Sequence, residues 1–71
     1  MIEVKSSNIR AIGHHPLEQS MDVEFHNGTK YSYGNVSEEI FQHILTAESV
    51  GKAFNNLVKT KPVEHPYTRL A

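Results

Sequence analysis

Two segments of alternating residues, joined by an Asn-Gly pair, constrain this chain more than any other feature. Apolar and polar residues alternate through Ser20–Phe25 and alternate again through Thr29–Tyr33. A period of two residues is typical of strands that bury one face. Asn27 and Gly28 between the segments favour a tight turn, so the sequence predicts an antiparallel hairpin.

The length of that turn decides which way Tyr31 and Tyr33 point. A two-residue turn would place both rings on the outer face of the sheet, as an exposed aromatic platform. A three-residue loop with a left-handed Gly28 pairs Phe25 with Thr29 and turns both rings towards the core. We favour the second arrangement, because the tyrosines are the only large apolar groups in their strand and core material is scarce.

The remaining elements complete a small α+β domain. A weaker alternation over Asn8–His14 predicts another strand, with Ile9 and Ala11 on one side. Ser37 and Ser49 are good N-caps for two short helices with apolar stripes, and Pro62 ends the second helix. Strands followed by helices predict a three-stranded antiparallel meander with both helices packed on one face.

Length and composition place this fold in a single domain. The chain has 71 residues and no cysteine, so its core is small and disulfides cannot stabilise it. We expect one domain over residues 1–71, with residues 1–6 and 60–71 more loosely ordered, although Tyr67 and Leu70 could dock on the core. The N-terminus lacks an apolar run and no stretch is long enough to span a membrane, so we expect a soluble, cytoplasmic protein. A homo-oligomer remains possible.

Nothing in the sequence predicts catalysis, and we expect that the chain is not an enzyme. There is no cysteine nucleophile, and the only aspartate, Asp22, lies on the predicted polar face of a strand. The adjacent Glu38 and Glu39 suit the first turn of a helix. The five histidines show no metal-binding spacing and are expected to be exposed, so no metal site and no cofactor are predicted.

Two polar clusters are candidates for binding phosphate. The segment Ser49–Lys52 opens a helix with a hydroxyl, a glycine and a lysine, a combination that can hold one phosphate. Lys5-Ser6-Ser7-Asn8 is a second group of donors. A purely structural explanation stays open for both, since Ser49 caps the helix and Gly51 allows close packing.

Several features occur in an order that is more specific than any one of them. They are Lys5-Ser6-Ser7-Asn8-Ile9, Gly13, Pro16, Met21-x-Val23-x-Phe25-x-Asn27-Gly28, Tyr31-x-Tyr33, Val36-x-Glu38-Glu39-x-Phe41 and Ser49-x-Gly51-x-x-Phe54-Asn55. Together they resemble the KTSC domain, a short domain with a central Tyr-x-Tyr motif. Such domains form stand-alone bacterial and phage proteins and also follow some lysyl-tRNA synthetases. The resemblance implies no catalytic residues, and the synthetase context suggests RNA binding.

Three functions therefore remain open. The net charge is −1, yet the segment from Lys52 onwards holds four basic residues and one acidic residue. An RNA-binding module would use these basic residues, and would stack bases only on exposed aromatic rings. A binder of a small signalling nucleotide, at subunit interfaces of a homo-oligomer, would use the two polar clusters. A protein-interaction module is the third possibility. The predicted ligand contacts are Lys5, Ser6, Ser7, Asn8, Ser49, Gly51, Lys52, Asn55 and Lys59.

Overall fold

The computed structural model describes the whole chain, Met1–Ala71, as one antiparallel sheet with a helical layer on one face. The sheet has five strands whose spatial order follows the sequence. They are β1 (Ile2–Glu3), β2 (Ile9–His15), β3 (Ser20–Phe25), β4 (Lys30–Tyr33) and β5 (Tyr67–Arg69). The helices are α1 (Glu38–Leu45) and α2 (Val50–Phe54), and α2 continues into a π-helical segment, Asn55–Lys59.

The α+β class, the antiparallel sheet and the two helices are confirmed, but the expected three strands are wrong. The two additional strands are β1 and β5, at opposite edges of the sheet. β1 pairs Ile2 with Ile12, and β5 pairs Tyr67 with Tyr33. These strands have two and three residues, too few for an alternating pattern to be recognised.

The hairpin has the three-residue loop that the sequence favoured. Tyr31 lies opposite Val23, and Tyr33 lies opposite Met21. The Phe25 amide donates to the carbonyl of Thr29 at 2.9 Å, which closes the loop. Gly28 has a φ of 90°, in the left-handed region that favours glycine.

A β-bulge in β2 makes its alternation differ from the predicted one. Ile9 pairs with Phe25 and Ala11 pairs with Glu24, which leaves Arg10 as an extra residue. The sequence pattern predicts Ile9 on the same side of the strand as Ala11. Because of the bulge, Ile9 and Ile12 instead share the core face, and both are fully buried.

The core joins the sheet to the helical layer. Ser37 and Ser49 cap the helices as predicted, each accepting a backbone N–H three residues ahead. The buried cluster contains Ile9, Ile12, Met21, Val23, Tyr33, Val36, Phe41, Ile44, Val50, Phe54 and Val58. No helix is both long enough and apolar enough to cross a membrane.

The segment before β5 is attached to the turn that follows β4. His65 is buried, and its Nδ1 donates to the carbonyl of Gly34 at 3.1 Å. The Gly34 amide donates to the carbonyl of Pro66 at 2.8 Å, and the Asn35 side chain donates to the carbonyl of Glu64 at 3.0 Å. These three bonds place Tyr67 beside β4.

Candidate functional site

An open aromatic groove lies on the helical side of the sheet, between the β4–β5 edge and the π-helical segment. Its volume is about 390 Å³. Strands β3, β4 and β5 contribute aromatic rings, and the π-helical segment contributes a lysine. The groove is lined by Phe25, Thr29, Tyr31, Tyr33, Lys59, Pro62 and Tyr67.

The tyrosine rings of the groove contact one another in a triangle. The ring centroids of Tyr31 and Tyr33 are 6.3 Å apart, and the Tyr67 centroid is 5.8 Å from the first and 6.0 Å from the second. Tyr33 is 5% exposed and rests on Phe54, with ring centroids 5.1 Å apart. Burial is the main cause that raises the pKa of Tyr33, followed by the neighbouring tyrosines. Tyr33 is therefore the floor of the groove.

The other two tyrosines remain accessible. Tyr31 is half-buried, and Tyr67 is 58% exposed. Tyr31 and Tyr33 lie opposite the core residues Val23 and Met21, as the register predicts, yet Tyr31 is only partly covered. The inward register therefore leaves an open aromatic groove in addition to the two polar clusters. The sequence predicts only that Tyr67 docks on the core, and its place in the lining of the groove is not predicted.

The groove combines aromatic faces with one positive charge. An ammonium group such as that of Lys59 attracts anions and repels cations at short range. Flat π-systems that carry a nearby negative charge, as nucleotides do, match both features.

The two predicted polar clusters meet in a polar depression of about 440 Å³ beside α2. No hydrophobic residue lines this depression. It brings together most of the predicted contacts and adds Asn56, whereas Lys5 lies outside it and Lys59 lines the groove instead. The lining residues are Ser6, Ser7, Asn8, Ser49, Gly51, Lys52, Asn55 and Asn56.

A glycine allows the two clusters to come so close. A Cβ atom at Gly51 would lie 3.0 Å from Oγ of Ser6 and 3.1 Å from Oδ1 of Asn8. Ser6 cannot move freely, because its hydroxyl donates to Asn8 Oδ1 at 3.0 Å and accepts the Ile9 amide at 3.3 Å. Gly51 therefore has the close-packing role that the sequence left open, and Ser49 has the capping role.

The sequence comparison identifies the chain. The profile of the family described as KTSC domain matches residues 5–61. This chain belongs to the KTSC domain family. The resemblance seen in the ordered motifs is thus confirmed, and the match includes the polar depression and Lys59 but ends before Tyr67.

Relatives of this KTSC domain extend over nearly the whole chain. An uncharacterized protein of Stutzerimonas stutzeri is 36% identical over 69 residues, covering 97% of this chain and 94% of its own. A protein of Tsukamurella paurometabola is 41% identical over 61 residues, covering 86% and 91%. The crystal structure of a KTSC domain protein from Yersinia pestis has a TM-score of 0.85 at 28% identity, covering 97% of this chain and 93% of that one.

Two histidines of this KTSC domain are buried, although all five were expected to be exposed. His65 is one of them, and His14 is the other, with a side chain that is 4% exposed. The Nε2 of His14 donates to the carbonyl of Val36 at 2.6 Å, and its ring stacks on Phe41. Its Nδ1 has no hydrogen-bond partner and lies 4.0 Å from a carboxylate oxygen of Glu38. His14 therefore packs into the core instead of facing solvent.

The neighbouring His15 forms an exposed ion pair on the other face of β2. Its Nε2 donates to Oδ2 of Asp22 at 2.9 Å. This hydrogen bond, followed by the charge of Asp22, raises the pKa of His15 above its ordinary value of 6.5. The histidines and acids do not converge into a group of three or more that could hold a metal ion.

Proposed function

We propose that this KTSC domain is a non-catalytic binding module for single-stranded RNA, and that the aromatic groove is its base-binding site. The observation that carries the proposal is the pair of accessible rings, Tyr31 and Tyr67, beside the ammonium group of Lys59. Proteins that bind single strands commonly combine such stacking surfaces with positive charge.

The charge of the groove favours a nucleotide over a cationic ligand. Several aromatic rings around one space could also surround a methylated ammonium group by cation–π contacts. Lys59 lines the same space and would repel such a cation. The same lysine would attract a phosphate whose base lies on the tyrosine rings.

A single strand suits the groove better than a duplex does. Bases in a duplex stack on one another, so their faces are not available to protein side chains, whereas unpaired bases can stack on aromatic rings. Each such stack is worth about 1–3 kcal/mol. One or two stacks and one phosphate contact would give weak binding, with a Kd of about 10 µM to 1 mM.

The test is binding of a fluorescently labelled uridine hexamer, followed by anisotropy at several low salt concentrations. We expect binding that weakens as salt rises, with a smaller salt dependence for Lys59→Ala. Lys30→Ala is the matched control. It also removes one lysine charge, but Lys30 lies opposite Glu24 on the face of the sheet that points away from the helices. The absence of binding at the lowest salt would overturn the proposal, and so would equal effects of the two lysine substitutions.

A small nucleotide bound in the polar depression is the second candidate. It is favoured by the convergence of the two predicted donor clusters around Gly51. A thermal-shift panel of nucleotides should then reveal one that raises Tm, and the Ser49→Ala plus Lys52→Ala double variant should lose that rise. A solution mass measurement would show whether subunit interfaces take part. A panel without any rise would eliminate this candidate.

A further inference from the structure

Between the aromatic groove and the polar depression lies a smaller hollow of about 270 Å³, lined by Asn8, Phe25, His26 and Asn27. We propose that the groove, this connecting hollow and the depression form one continuous track, and that the ligand of the domain is an oligonucleotide rather than a mononucleotide. The inference rests on the proposed function, which requires the groove alone.

Shared lining residues place the three hollows next to one another. Phe25 lines both the groove and the connecting hollow. Asn8 lines both the connecting hollow and the polar depression. A strand that leaves the groove would therefore pass Phe25 and then Asn8 to reach the depression.

Hydrogen bonds hold the middle of the track in place. The His26 amide donates to the carbonyl of Asn8 at 3.0 Å, and Nε2 of His26 donates to the carbonyl of Ser6 at 3.0 Å. Oδ1 of Asn27 accepts from the amide and the hydroxyl of Thr29, at 3.0 and 2.7 Å. The two bonds of His26 thus hold the hairpin turn against the segment that precedes β2, where the connecting hollow lies.

The chemistry of the track changes from one end to the other. The groove presents aromatic faces, whereas amide and hydroxyl side chains line the depression. Aromatic faces stack on bases, while amides, hydroxyls and lysines mostly contact phosphates and sugars. Lys59 serves the groove and Lys52 serves the depression, so they would contact different phosphates of one strand.

The experiment is a length series in which unlabelled uridine monophosphate and uridine di-, tetra- and hexanucleotides compete against the labelled hexamer. We expect affinity to rise at least about tenfold from the mononucleotide to the tetranucleotide, as the strand fills the track. Lys52→Ala should weaken the tetranucleotide about threefold or more, whereas Lys30→Ala should leave it within twofold of the unmodified protein. The exposed Lys52 side chain can be removed without disturbing the core, and Lys30→Ala again serves as the matched control.

The outcomes separate the two proposals. Equal affinities for the mononucleotide and the tetranucleotide would overturn the continuous track while leaving the groove as a base-binding site. An unchanged tetranucleotide affinity in Lys52→Ala would also overturn it. Failure of every RNA in the series to compete, together with no binding of the labelled hexamer, would remove the proposed function itself.

Discussion

Replacing Tyr67 with alanine should reduce RNA binding and leave the domain folded. Tyr67 is 58% exposed, so folding buries less than half of the residue. Complete burial of a large apolar side chain is worth about 1.5–3 kcal/mol, and partial burial here is worth about 1 kcal/mol. The contacts with the rings of Tyr31 and Tyr33 bring the total to about 1–2 kcal/mol.

The same substitution removes the most accessible stacking surface of the groove. Loss of one base stack costs about 1–3 kcal/mol of binding, or about fivefold to a hundredfold in affinity. A stability loss of about 1–2 kcal/mol lowers Tm by about 4–16 °C in a domain of this size. By contrast, Tyr33→Ala should lower the free energy of unfolding by about 3–5 kcal/mol, because only 5% of Tyr33 is exposed. Much of the protein would then be unfolded.

The affinity of each variant is measured by fluorescence anisotropy with the labelled hexamer, at a temperature below the melting range of that variant. Tyr67→Phe keeps the ring and should bind within twofold of the unmodified protein. Leu70→Ala is the matched control, since Leu70 follows the same strand, is 51% exposed and does not line the groove. Unchanged affinity in Tyr67→Ala, or an equal loss in Leu70→Ala, would refute the reasoning.

Three further predictions concern the fold. Gly28→Ala should lower the free energy of unfolding by about 1–2 kcal/mol, because the φ of 90° at this position strains an L-residue. Gly28→Asn should lower it less, since asparagine tolerates this region better. Equal Tm values for the two variants in thermal melts would contradict this prediction. The raised pKa of His15 means that its pair with Asp22 stabilises the protein below about pH 6.5 and ceases to do so as pH rises through the folded-state pKa. Asp22→Asn should therefore lower the free energy of unfolding more at about pH 5.5 than at about pH 8.5. Urea unfolding at the two pH values should show a difference of under about 1 kcal/mol. A larger loss at the higher pH would contradict this prediction. His65→Ala should expose β5 amides to hydrogen exchange while the hairpin stays protected, and unchanged β5 protection would show that the bond to Gly34 is not needed.

The local parts of the fold could be predicted from the sequence. The hairpin register follows from Gly28 and from the scarcity of apolar residues in its second strand. The helix starts follow from Ser37 and Ser49, whose hydroxyls accept backbone N–H groups within the next turn. Each of these features depends on residues that are neighbours in the chain.

Features that depend on distant residues could not be predicted. β5 exists because Tyr67 pairs with Tyr33 across a long connection, and three residues carry too little pattern to reveal this. The burial of His14 depends on α1 packing over it, and the bulge at Arg10 depends on the register with β3. The groove itself is formed by residues of β3, β4, β5 and the π-helical segment, which lie far apart in the chain.

The tyrosines give the most direct test of the aromatic groove. The chain has three tyrosines and no tryptophan, and all three tyrosines line the groove. Intrinsic fluorescence therefore reports on this site alone. Titration with a uridine tetranucleotide should quench the tyrosine emission with the same Kd that competition gives. Binding by competition without any change in tyrosine emission would show that the bases do not stack in the groove.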